Sequence, residues 1–231
     1  MIPLRDDNPT VLWPFFTVAF ILANIAVFSY QWSLLSADER LAEKFIFQMG
    51  MIPAAIAHGS ILRAGEYYTL VTSMFLHGSL LHLGGNMLYL WIFGNNIEDS
   101  MGHLRFIAFY LLVGIAAAVT HIYFNPTSTV PTIGASGAVS GILGAYLMLF
   151  PHARVLTLIP LFGPFWRTFY LPAWVLLLVW IGMQFLYQAL DPADPKAGGV
   201  AYAAHIGGFV AGFVLVHFFR KYRRRAHFRT Y

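Results

Sequence analysis

Four side chains in this sequence carry chemistry that a purely apolar bundle would not need: Ser136, His205, His82 and Asn86. Ser136 sits in Gly134-Ala135-Ser136-Gly137-Ala138-Val139-Ser140-Gly141, after Pro131 and ahead of the apolar run 142–150. A serine among glycines at the mouth of an apolar helix has two readings. Small residues let helices approach closely, and a hydroxyl can bond its own helix. Alternatively, the serine is a nucleophile held at a crowded corner and activated by a base from a neighbouring helix. Taken alone, the stretch fits packing better. The surroundings of His205, His82 and Asn86 turn the balance towards chemistry.

The elements that must position them are membrane helices. Of 231 residues, 58% are hydrophobic and 10% charged, against about 25% charged in a typical soluble domain. So much apolar surface calls for lipid as solvent. There is no cysteine, which excludes disulfides, thiolate metal sites and a cysteine nucleophile. The net charge of +4 is concentrated in Arg220-Lys221-Tyr222-Arg223-Arg224-Arg225. This run directly follows an apolar span, so it reads as an anchor at an anionic membrane face and not as a nucleic-acid site.

Residues 1–10 are polar. Residues 11–31 form a first span of about 20 residues, longer than a signal-peptide core and without a small-residue cleavage site, with Pro14 tolerated in its first turn. In 32–66, Asp38, Glu39, Arg40, Glu43 and Lys44 alternate with Leu41, Phe45, Ile46 and Phe47. That pattern predicts an amphipathic element in the interface, broken at Gly50 and Pro53. Further spans are expected at 67–97, 106–124, 134–150, 171–190 and 200–219. The segments 125–133, 151–169 and 191–199 read as loops. The expected fold is all-α: a polytopic bundle of six transmembrane helices over 11–219, with a short tail at 1–10 and a basic tail at 220–231.

Six spans leave both termini on one side. Assigning the basic tail to the cytoplasm puts 10 of the 14 Lys and Arg residues there, as the positive-inside rule requires. The second, fourth and sixth spans then all run inward from the outer face. Ser136 falls in the first turn of the fourth span, His205 roughly 8 Å down the sixth, and His82 and Asn86 one turn apart on the second. Polar groups at that depth should face one another or water. Gly137-x-x-x-Gly141 and Gly208-x-x-x-Gly212 are small-residue faces that could bring the fourth and sixth helices together, close enough for Ser136 to reach the His205 ring.

These residues resemble the motifs of the rhomboid intramembrane serine proteases. Gly134-Ala135-Ser136-Gly137 is similar to the family's G-x-S-G, Ala204-His205-Ile206-Gly207-Gly208 to its A-H-x-x-G, and His82-x3-Asn86 with the preceding His77 to its H-x-x-x-N. The lead-in from Glu66 to His77 and the segment from Asn96 to Gly102 are also typical, and the resemblance covers about 67–219. It implies Ser136 as nucleophile, His205 as general base and then acid, and His82 and Asn86 lining the oxyanion hole. It also implies single-span membrane proteins as substrates, with no metal or other cofactor. A cell-membrane setting follows from the prokaryotic look of the six-span core, with the site open to the outer face. The family works as a dyad, and no Asp or Glu lies within a span except near Glu98. Some bacterial members have an aromatic residue four after the nucleophile, stacked on the histidine. Ser140 stands there in this chain, which leaves open what holds His205.

Other readings remain. Ser140 is a competing nucleophile, one turn deeper. His77 fits a structural role, bonded to the first loop. His121 and His217 lie at span ends; His58, His103, His152 and His227 carry no signal. A haem or metal protein would need further ligands such as carboxylate or thiolate; a transporter would need intramembrane acids. A catalytically inactive rhomboid-like factor that binds membrane proteins is the alternative; such relatives generally lose the Ser or the His, and both are present here. The fifth helix and the loop 191–199 are candidate substrate gates. Oligomeric state and natural substrate are not legible.

Overall fold

The structure is a computed structural model, and it describes residues 1–58, 66–162, 165–190 and 199–221. Arg63, Lys196, the loop 191–198 and the tail from residue 222 onward therefore lie outside the described residues. Among the described residues, four helices are long and apolar enough to cross a membrane: α1 (Phe15–Ala37), α7 (His103–Phe124), α9 (Ala173–Leu190) and α10 (Tyr202–Phe219). A shorter apolar helix, α8 (Ser136–Leu149), is buried on nearly every side.

The first helix starts later and runs further than its hydropathy suggests. Pro14 stands at its N-cap, and its free N–H groups turn to a buried carboxylate. Glu98 accepts from Phe16 N–H at 2.9 Å and from Thr17 N–H and Oγ1 at 2.8 and 2.7 Å. A negative group there also complements the helix dipole. His103, which carried no signal in the sequence, pairs with the same carboxylate at 2.6 Å. Asp38 then ends α1 and caps α2 (Glu39–Met49), accepting from Arg40 N–H at 2.9 Å. Gly50 ends α2, and Pro53 opens the short α3 (Pro53–Ala57).

The expected second span is not one helix. Its first part is a short α4 (Thr69–Thr72) and a 3₁₀ turn (Ser73–Phe75). The chain extends at Leu76 and restarts at Ser79, whose side chain caps α5 (Leu80–Tyr89). Helix continues through a π turn (Leu90–Gly94) into α6 (Asn95–Met101). The break has a local cause: Ser79 Oγ accepts from His82 N–H at 3.1 Å, fixing a helix start within the span.

The all-α expectation is corrected by a small antiparallel sheet of order β1-β2-β3. β1 (Ile2–Asp6) comes from the polar N-terminal segment; β2 (Arg154–Phe162) and β3 (Phe165–Pro172) from the segment read as a loop. The prolines within these strands sit where strands tolerate them. Pro160 lies at a register irregularity and Pro172 at a strand end. Val155 and Thr157 alternate with more exposed neighbours and are fully buried, the period-two pattern of a half-buried strand. Asp6 ties this sheet to α8, accepting from Tyr146 Oη and from Asn96 Nδ2.

The core is the contact of α7, α8 and α10. Phe106, Phe109, Tyr110, Ile142, Leu143 and Tyr146 are fully enclosed. A β-carbon on Gly208 would strike the Gly137 carbonyl oxygen, and one on Gly212 the Gly141 carbonyl oxygen. The two small-residue faces therefore meet each other. Their paired numbers rise together, so α8 and α10 run parallel with Ser136 and His205 at a similar level.

Candidate active site

Ser136 is the first residue of α8. The first backbone bond of that helix runs from Val139 N–H to Ala135 C=O. The N–H groups of Ser136 and Gly137 thus lack an intrahelical partner, and the positive end of the helix dipole lies beside the hydroxyl. At 14 residues, α8 is roughly 21 Å long, shorter than the ~30 Å hydrocarbon layer. An irregular segment from Asn125 to Ala135 reaches in to meet it. Such backbone is tolerated at depth when it is buried in protein or lines a cavity. Here it is pinned by the Met51–Thr132 bridge, by Ala54 N–H to Ser128 C=O at 2.9 Å, and by Gly134 N–H to Ser73 C=O at 2.9 Å.

Gly134 is the hinge of the site. Its φ of +129° lies in a region that side-chain-bearing residues avoid. A β-carbon there would also lie 2.8 Å from His82 Nε2 and 3.6 Å from Ser136 Oγ. Glycine thus gives the backbone its turn and lets the His82 ring stand close to the serine hydroxyl.

His82 lies in the first turn of α5. Its Nδ1 faces Gly78 N–H across a long 3.5 Å contact, and its Nε2 lies on the side of Gly134 and Ser136. Asn86, one turn on, puts Nδ2 3.0 Å from His77 Nε2. Asn86 also lines the cavity. Among the described residues, His77 bonds Asn86 rather than the first loop, and its backbone is clamped by Gln31 of α1, with bonds of 3.1 and 3.2 Å. Ser140 is buried, and its hydroxyl donates to the Ser136 carbonyl at 2.6 Å.

His205 lies in the first turn of α10 and is 9% exposed. Its Nδ1 is 2.8 Å from Gln184 Oε1 on α9. The Trp180 ring, one turn earlier on α9, lies 5.9 Å from the imidazole at 36°. With Ser140 bonded to its own helix, the ring contacts of His205 come from Gln184, Trp180 and Tyr202, the last edge-on at 6.4 Å. Gln184 and Trp180 were missed in the sequence, where α9 read only as apolar. The signal available was Gln184 itself, because an amide in mid-span must find a partner.

Ser136, His205, His82 and Asn86 line one cavity of about 720 Å³, with Gly134 and Trp180. His121, at a span end in the sequence, lines it too. Among the described residues, no hydrogen bond joins Ser136 Oγ to His205, and no group of acidic or histidine side chains could hold a metal ion.

Apolar helices of spanning length around a polar cavity define a multi-pass membrane protein. Comparison with protein families matches residues 64–222 to the Rhomboid domain. The chain belongs to the rhomboid family. It is 30% identical over 199 residues to "Rhomboid protein 1, mitochondrial" of Saccharomyces cerevisiae, covering 84% of this chain and 50% of the yeast protein. It is 32% identical over 154 residues to "Rhomboid protease GluP" of Bacillus subtilis, covering 67% of this chain and 26% of that protein. It is 32% identical over 163 residues to "RHOMBOID-like protein 7" of Arabidopsis thaliana, covering 70% of this chain and 45% of the plant protein. The chain thus spans half or less of the length of these relatives.

Proposed function

We propose that this chain is an intramembrane serine endopeptidase acting on single-span membrane proteins. The reading rests above all on the convergence of Ser136, His205, His82 and Asn86 on one cavity, from helices distant in sequence. A relative bearing the name protease adds to it.

Ser136 Oγ attacks the scissile carbonyl carbon as His205 Nε2 takes the hydroxyl proton. The oxyanion forms against the Ser136 N–H, His82 Nε2–H and an Asn86 amide hydrogen. The C–N bond then breaks, and His205 returns the proton to the leaving amine. Water entering the cavity, activated by His205, hydrolyses the acyl-enzyme. A site below the surface demands that the substrate helix unwind locally, which favours small, helix-weakening residues at the cleaved bond.

The same reading takes 67–97 and α8 as the second and fourth of six spans, both termini in the cytoplasm, the site facing outward, and the cell membrane as the setting. α8 need not cross alone, since the segment before it completes the path.

One observation favours a second reading, an inactive rhomboid-like factor that binds membrane proteins: the missing Ser136–His205 hydrogen bond. A resting protease accounts for it equally, because catalytic bonds often tighten only once substrate is bound. Fluorophosphonate labelling of the detergent-solubilised protein separates the two. A protease labels, and both Ser136→Ala and His205→Ala abolish the label. A folded wild type that does not label favours the binding factor.

A further inference from the structure

We infer that Gln184 is a positioning residue for His205, holding the imidazole in the one tautomer and orientation that a general base needs. The inference rests on the protease reading above and adds to its dyad a neutral orienting partner, Gln184.

The geometry that carries it is a two-bond chain on α9. Gln184 Nε2 donates to the Trp180 carbonyl at 3.3 Å, and Gln184 Oε1 lies 2.8 Å from His205 Nδ1. The first bond settles which way the amide points. Turned over, its oxygen would face the Trp180 carbonyl oxygen, acceptor against acceptor. With Oε1 towards the ring, Nδ1 must carry the hydrogen, because an amide oxygen only accepts. Nε2 is then the unprotonated nitrogen, as a base for a serine hydroxyl requires. Gln184 and His205 are 8% and 9% exposed, so water competes little for this bond. Trp180 limits rotation of the ring. It also packs on Phe209 of α10, centroids 6.1 Å apart, which holds α9 and α10 in register.

In a soluble serine triad a buried carboxylate orients the histidine and also stabilises the imidazolium; a mispaired tautomer there costs about 10⁴-fold in kcat. An amide supplies the orientation without burying a charge among apolar helices, where an unpaired carboxylate is costly. The two roles of the triad acid are thus separated in this chain, and only the first is kept.

The test compares wild type with Gln184→Met, which keeps side-chain length and removes the acceptor. Fluorophosphonate labelling is resolved into kinact and KI, and ring ¹⁵N shifts of His205 are read in micelles, with His205→Ala assigning the signal. The expected wild-type spectrum shows Nδ1 protonated and Nε2 free. Gln184→Met is expected to mix the tautomers and lower kinact about 10- to 100-fold, the usual cost of removing the partner that orients a functional imidazole, with KI unchanged. A merely structural glutamine would not move the tautomer. Wild-type labelling with kinact unchanged in Gln184→Met, or a wild-type ring protonated at Nε2, overturns the inference and leaves the protease reading standing. The wild-type spectrum, assigned with His205→Ala, does not depend on Gln184→Met, so it decides even if that variant fails to fold. Absence of wild-type labelling overturns both.

Discussion

The carbonyl oxygen of Gly141 on α8 occupies the space that a β-carbon on Gly212 of α10 would fill. Two parallel helices are in backbone contact there, and the same contact recurs a turn earlier at Gly137 and Gly208. Because the obstructing atoms are backbone, no side chain can step aside. Gly212→Ala is therefore expected to destabilise the bundle by roughly 1–3 kcal/mol, the range for overpacking a tight core. Thermal melts in detergent check this. A melting temperature equal to wild type would mean that the helices separate without loss.

Ser140 and Ser136 differ in what their hydroxyls do. Ser140 donates to the Ser136 carbonyl within its own helix, whereas Ser136 stands at the helix start beside His82. Ser140→Ala should keep fluorophosphonate labelling within a few-fold of wild type, while Ser136→Ala should abolish it. Labelling that survives in Ser136→Ala and disappears in Ser140→Ala would reassign the nucleophile.

His82 and Asn86 line the cavity with Ser136, and the proposed mechanism uses their Nε2 and Nδ2 as oxyanion donors. Removing one such donor usually costs about 10²–10³-fold in kcat. His82→Ala and Asn86→Ala are each expected to slow turnover of a single-span substrate on that scale, with KM little changed. A rise in KM at constant kcat would make them substrate-binding groups instead.

Asp6 lies outside the spans, and burial raises its carboxyl above the usual value of 3.8, against the lowering effect of its bonds from Tyr146 and Asn96. In this window the folded protein binds more protons than the unfolded chain. The Asp6 contribution to stability is thus fully present below pH 3.8 and is lost as pH rises through the elevated folded value. Asp6→Asn should lack that slope. Melting temperature measured against pH for both proteins tests the point, and parallel curves would contradict it.

The sequence by itself determined the lipid setting, the runs apolar enough to span, the small-residue faces of α8 and α10, and the identity of the polar groups that must meet. Hydropathy and spacing are properties of a segment, and a glycine every fourth residue marks a contact face before any partner is known. Only the tertiary structure decided the rest. The break at Leu76–Ser79 depends on a cap formed by Ser79, and the sheet depends on the N-terminal segment returning to pair with β2. Asn86 is shared with His77 only because the chain bends between them. The hold on His205 was the least legible of all. A helix apolar on most sides, such as α9, has no pattern to declare its rotation. Which face carries Gln184 inward is set by the packing of Trp180 on Phe209 and His205, a contact between helices that no local stretch of sequence records.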